Sequence, residues 1–245
     1  MRWARGLLAG AVRIASMKRF DAGRFDAFLE SATDVVTLPL CPEIRLRVAT
    51  DLSTLWKAQE RWFECVGLAP PYWGIPWPGG QALARFLLDN PSVIRGRSVL
   101  DLGSGSGLCA IAAAKGGGVV HAADTDPGAC SAIAMNAVLN AVEVTVSRED
   151  PMGEPSQWEV VLAADLWYER FMASRVTSWL KYVCQQQTCV LLGDLGRAYF
   201  PRSGPVEIGR YRIHGLSAVE QNGVTEACAW RWVTAVVSPP LATQA

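Results

Sequence analysis

The segment from Ser98 to Lys115, SVLDLGSGSGLCAIAAAK, joins an apolar run to an alanine-rich helical run through three glycines in five positions. A strand with almost no polar alternation must be buried on both faces, which requires helices above and below the sheet that carries it. The pattern then repeats. VVHAAD reads as a strand and PGACSAIAMNAVLN as a helix with Pro127 in its first turn; EVTVS and VVLAAD are strands. A helix follows from about Glu169 to Cys184, and then a strand, CVLLGD. Strands alternating with helices in this way predict an α/β fold, doubly wound around a mostly parallel Rossmann-like sheet. The alternation stops near the end, where YRIHGLSAV and EACAWRWVTAVV, joined through QNG, predict an antiparallel hairpin.

Upstream, residues 21–66 read as a small N-terminal elaboration, with helical spacing around the strand-like runs VVTLPL and EIRLRVAT. Residues 67–237 are expected to form the main domain, and 238–245 (SPPLATQA) a disordered tail. Between elaboration and domain lies PPYWGIPWPGG (70–80), with four prolines, two tryptophans and a tyrosine. Proline fixes its own backbone and removes a donor, so this stretch is expected to be loop. Two uses compete for it: an aromatic plug anchoring the loop to the core, or a rigid wall for a flat ligand.

Composition narrows the function classes. Lys+Arg and Asp+Glu both total 23, which argues against a nucleic-acid partner. Seven cysteines without a C-x-x-C pair read as reduced thiols, and two histidines without clustered ligands predict no metal. No run is long enough to span a membrane, and a monomer is expected. The first twenty residues stand apart, with Arg2, Arg5, Arg13, Lys18 and Arg19 but no acid. On a helix, Trp3, Leu7, Ala11 and Ile14 would share one side, which is the signature of a mitochondrial transit peptide over residues 1–20. A secretory signal competes poorly, because Arg13 interrupts the short apolar run. Its removal would leave 18 basic against 23 acidic residues.

In a doubly wound sheet, ligands bind outside the carboxyl ends of the strands, where a glycine turn lets backbone approach closely. Gly103, Gly105 and Gly107 form such a turn, headed by Asp101. That acid can hold the turn's amides or face a cationic ligand. A dinucleotide fingerprint would need a small residue where Leu108 stands, and no Y-x-x-x-K reductase pair is present, so an NAD oxidoreductase is the weaker reading. Asp124, at the tip of the next strand and about twenty residues on, is placed to take both hydroxyls of a ribose. Asp126 before Pro127 reads as a helix N-cap. Asp150 could accept from an adenine amino group, or be a solvated loop acid. Asp165, Trp167 and Tyr168 close the fourth strand.

The glycine turn, the ribose acid, the D-x-x-Y of DLWY and the tryptophan loop together resemble the class I, seven-stranded S-adenosylmethionine-dependent methyltransferases, over residues 70 to about 236. The run PPYWGIPWPGGQALARFLLDNP with GDLGR is similar to the family 16 protein-lysine methyltransferases. This resemblance implies a seven-stranded sheet and S-adenosylmethionine as cofactor. It implies a lysine of the mitochondrial electron transfer flavoprotein beta subunit as acceptor, and hence the mitochondrial matrix as location. It also implies that Asp101, Gly103, Gly105, Gly107, Asp124, Asp150 and Trp77 bind the cofactor and that Asp165 and Tyr168 serve the acceptor. Methylation of another protein, such as a ribosomal protein, and a non-catalytic cofactor-binding module are the alternatives.

Overall fold

In the computed structural model, which describes residues 22–62, 70–214 and 224–233, the strand-and-helix alternation closes into one seven-stranded sheet. Its strands are β3 (Ser98–Leu102), β4 (Val119–Ala123), β5 (Thr145–Ser147), β6 (Val160–Ala164), β7 (Cys189–Asp194), β8 (Pro205–His214) and β9 (Val224–Trp232). They lie in the order β5-β4-β3-β6-β7-β9-β8. The first five are parallel, while β9 runs antiparallel to both β7 and β8. Strand order reverses between β3 and β6, and that switch point is where a doubly wound sheet opens a crevice.

Successive residues of the central strands enter two different cores, as the two-residue strand period requires. Val99, Val160, Leu162 and Leu191 face α3 (Pro78–Asp89), α4 (Leu108–Lys115) and α5 (Pro127–Leu139). Leu100, Val161, Val190 and Leu192 face α6 (Arg170–Gln185), which contributes Val176, Trp179, Leu180 and Val183. Glu169 starts α6 by accepting from the amides of Phe171 and Met172. Both cores exclude water, so the continuous apolar runs of the strands are explained by burial on both sides.

The N-terminal elaboration consists of α1 (Ala22–Ala32), a two-stranded antiparallel sheet of β1 (Thr33–Thr37) and β2 (Arg45–Ala49), and α2 (Leu52–Trp62). Phe25, Leu29 and Leu55 pack with Trp73 against Ala129 and Ala132 of α5. The expected transit segment, the QNG joint and the expected C-terminal tail fall outside the described residues. Among the described residues, no helix is long and apolar enough to cross a membrane.

Two sequence expectations need correction. The strand EVTVS is shorter than expected, since pairing with β4 begins only at Thr145. The proline-rich stretch is not loop throughout: residues 72–74 form a 3-10 turn, and Pro78, Gly79 and Gly80 are the first turn of α3. Proline at the first helical position loses an N–H that would have no intrahelical partner anyway.

Candidate active site

The glycine turn is held from below by Asp101. Its Oδ2 accepts from the Ser104 hydroxyl at 2.6 Å and from the Ala110 amide at 3.0 Å, tying the end of β3 to the start of α4. Burial pushes this carboxyl up to about 7, against the opposing pull of those two hydrogen bonds. Gly103 and Gly105 both take left-handed backbone, with φ of 61° and 56°. A Cβ on Gly103 would stand 2.6 Å from the end of the Leu166 side chain, which would have to move aside, and the left-handed backbone there also favours glycine.

Asp124 closes the turn from the side. Its Oδ2 accepts from the Gly105 amide at 2.9 Å and its Oδ1 from the Asp126 amide at 3.0 Å. Burial raises its pKa as well. Asp126 caps α5, accepting from the Gly128 amide at 2.7 Å.

Above these residues lies a cleft of about 490 Å³, within the range of roughly 300–1,000 Å³ usual for small-molecule sites. Trp77, Gly103, Gly105, Asp124, Asp150, Asp165 and Tyr168 all line it. Asp101 lines a neighbouring recess of about 60 Å³, bounded also by Trp77, Gly105 and Asp165. Gly107 borders neither space; its missing Cβ faces Ile133, which lets α4 pack on α5. Asp150 is already engaged, through Oδ1 with the Met152 amide at 3.0 Å and through Oδ2 with Arg175 at 2.6 Å.

The far end of the cleft is built around Asp165. This residue has a φ of 57°, an uncommon conformation for a residue with a side chain, and its amide donates to Gly193 O. Its carboxylate accepts from the amides of Gly79 at 3.2 Å and Gly80 at 2.6 Å, donors at the N-terminus of α3 that have no intrahelical acceptor. Arg197 Nη1 donates to both Asp165 and Asp194. Burial lifts Asp165 to about 6, while the Arg197 guanidinium pulls the other way. The close approach depends on two facing glycines: a Cβ on Gly79 would stand 2.5 Å from the Gly193 carbonyl oxygen.

Both competing uses of the tryptophan loop are realised. Trp73 is buried and donates to Gln59 Oε1 at 3.2 Å, so it anchors the loop while also bordering the cleft. Trp77 lines the cleft and donates to the Tyr72 carbonyl at 2.8 Å. Its ring lies 6.0 Å from that of Tyr72, which lies 5.7 Å from that of Tyr168. These three rings form one aromatic wall, and Tyr72 and Tyr168 remain exposed at its rim. The sequence reading missed Tyr72, Asp194 and Arg197; the charged pair at the end of β7, in GDLGR, was the available signal for the last two.

Comparison with known proteins agrees with this geometry. Residues 82–166 match the family model of ribosomal protein L11 methyltransferase (PrmA). The electron transfer flavoprotein beta subunit lysine methyltransferase of Xenopus laevis is 39% identical over 83% of this chain and 85% of its own length. The protein of that name from Homo sapiens is 36% identical over 92% and 93%. The chain belongs to the electron transfer flavoprotein beta subunit lysine methyltransferase family. It is an S-adenosylmethionine-dependent methyltransferase. Among solved structures, the T. thermophilus 16S rRNA N2 G1207 methyltransferase in complex with AdoMet and guanosine shares the fold. Its TM-score is 0.50 at 13% identity, covering 82% of this chain and 49% of that one. The residues present fit the cofactor: Asp124 offers acceptors for ribose hydroxyls, and the recess at Asp101 offers a carboxylate for an ammonium group.

Proposed function

We propose that this protein transfers methyl groups from S-adenosylmethionine to lysine side chains of the electron transfer flavoprotein beta subunit, in the mitochondrial matrix. The observation that carries the reading is the continuous likeness to proteins of that name, over 83–92% of the chain, and the acceptor end of the cleft is compatible with it. That end offers a carboxylate, a guanidinium and a wall of three rings, which suits a long, slender amine. The acid-free, arginine-bearing first twenty residues support the location.

When bound, S-adenosylmethionine supplies an electrophilic sulfonium methyl; the protein's part is binding, orientation and exclusion of water. Asp124 would take the ribose, Asp150 would lie on the adenine side, and Gly103 and Gly105 would let the cofactor come close to the backbone. Asp101 holds the glycine turn and would face the ammonium of the methionine end. Trp77 stiffens the wall between cofactor and acceptor. The acceptor lysine must lose its proton to react, and at neutral pH only about one free lysine in a thousand is neutral. Asp165 is not the base that removes it. A carboxyl ionising near 6, with oxygens already accepting from Gly79, Gly80 and Arg197, is far too weak a base for an amine. Its role is to hold the first turn of α3 and Arg197 in place and to orient the incoming amine, with Tyr168 shaping the entrance. Transfer into the dry cleft lowers the lysine pKa, since burial disfavours the charged form.

The test is incubation of the protein with methyl-labelled S-adenosylmethionine and a mitochondrial extract. A labelled band whose digest carries methyl-lysine from the flavoprotein beta subunit is expected. Label on a ribosomal protein would move the acceptor assignment there, and cofactor binding without any labelled protein would leave a non-catalytic module.

A further inference from the structure

The N-terminal elaboration lies outside the stretch matched by the ribosomal protein L11 methyltransferase family model, yet one of its side chains bonds two residues that line the cleft. Gln59, on α2, is almost fully buried, with 1% of its surface exposed. Its Oε1 accepts from Trp73 Nε1 at 3.2 Å and its Nε2 donates to Asp126 Oδ2 at 3.0 Å. The amide has only one workable orientation, because an indole N–H can only donate and so the Gln59 oxygen must face it. Asp126 donates through its amide to Asp124 Oδ1, and Asp124 Oδ2 accepts from the Gly105 amide. A continuous chain of hydrogen bonds therefore runs from Trp73 through Gln59, Asp126 and Asp124 to the glycine turn. Gly128 leaves room for it: a Cβ there would stand 3.0 Å from Trp73 Nε1 and 3.1 Å from Gln59 Oε1. A second amide makes a parallel connection, since Asn136 accepts from the Arg47 amide of β2 and donates to the Ser106 carbonyl of the glycine turn.

We propose that Gln59 is a positioning residue for cofactor binding, fixing the ribose acid Asp124 through Asp126 while holding Trp73 as one wall of the cleft. The inference rests on the cleft being the S-adenosylmethionine site and not on the identity of the acceptor. Its specific consequence is polarity: the pair works only when a donor on residue 59 meets an acceptor on residue 126, or the reverse. Gln59→Glu sets two carboxylates against each other. Asp126→Asn sets two amide donors against each other, or turns one against the Gly128 amide. The double variant Gln59→Glu/Asp126→Asn exchanges donor and acceptor, leaves the net charge of the pair unchanged, and still lets residue 59 accept from Trp73.

The experiment is calorimetric titration of S-adenosylhomocysteine into the full-length protein and these three variants, with a melting curve for each. Each single variant is expected to weaken binding about tenfold or more, and the double variant to return within about threefold of the starting affinity. In turnover assays the loss should sit in KM for the cofactor, with kcat little changed. Single variants that bind as tightly as the unaltered protein would overturn the proposal, as would a double variant no better than the weaker single. Should Gln59→Glu fail to fold, the isosteric Asp126→Asn decides: a tenfold loss supports the role and unaltered affinity refutes it. Binding is read without any acceptor, so failure of the acceptor assignment would leave this result standing.

Discussion

At the cofactor end of the cleft, Asp101 and Asp124 are held by groups no more than 19 residues away in sequence: Ser104 and Ala110 for one, Gly105 and Asp126 for the other. At the acceptor end, Asp165 is held by the start of α3, some 85 residues earlier, and by Arg197, 32 residues later. The cofactor end is thus a local construction of two strand tips. The acceptor end exists only once β6, β7 and α3 have been brought together. Such a division lets the cofactor site be kept while the acceptor site is altered, because the two share the cleft but few supporting bonds.

The comparison predicts that damage at the two ends reads out differently. The largest effect is expected from Asp124→Ala, which removes the acceptor for ribose and frees the Gly105 amide. Affinity for S-adenosylhomocysteine should fall roughly a hundredfold or more, the worth of two hydrogen bonds to a charged acceptor. Next comes Asp165→Asn, which turns an amide donor toward either Arg197 or the first turn of α3. Turnover should fall about tenfold to a hundredfold while cofactor affinity stays within about threefold, as initial rates and calorimetry would show. Equal loss of both quantities would break the comparison. A smaller, pH-dependent effect on cofactor affinity is expected from Asp101. Burial raises Asp101 from 3.8 to about 7, and a cationic ligand favours the ionised form. Affinity for S-adenosylmethionine should therefore fall roughly tenfold between pH 8 and pH 6. For the free protein the sign is opposite. A raised folded-state pKa gives stability that is full below the unfolded value and lost as pH rises through 7, so melting should occur at lower temperature at pH 8 than at pH 5. Asp101→Asn should flatten that slope.

The same division explains what the sequence made legible. Asp101, Asp124 and the glycine turn could be named because the chemistry requires them at short, fixed spacing around one strand-turn-helix unit. Asp126 as N-cap followed from its place before Pro127. Arg197 and Asp194 escaped because nothing local in GDLGR says that β7 lies beside β6 with its tip against α3. Gln59 escaped for the same reason at longer range: an amide in the middle of a helix has no sequence signature for the partners it will meet. Of the two tryptophans of the proline-rich loop, the resemblance already pointed to Trp77 as cofactor-facing; the hold of Gln59 on Trp73 became visible only with α2 in place.

The most direct measurement is the mass of purified electron transfer flavoprotein beta subunit after incubation with S-adenosylmethionine and either the unaltered protein or Asp165→Asn, at saturating cofactor. Lysine methylation by the unaltered protein, and slow methylation by a variant that binds cofactor fully, is the predicted result. An unmethylated beta subunit, or equal rates from both proteins, would contradict the account.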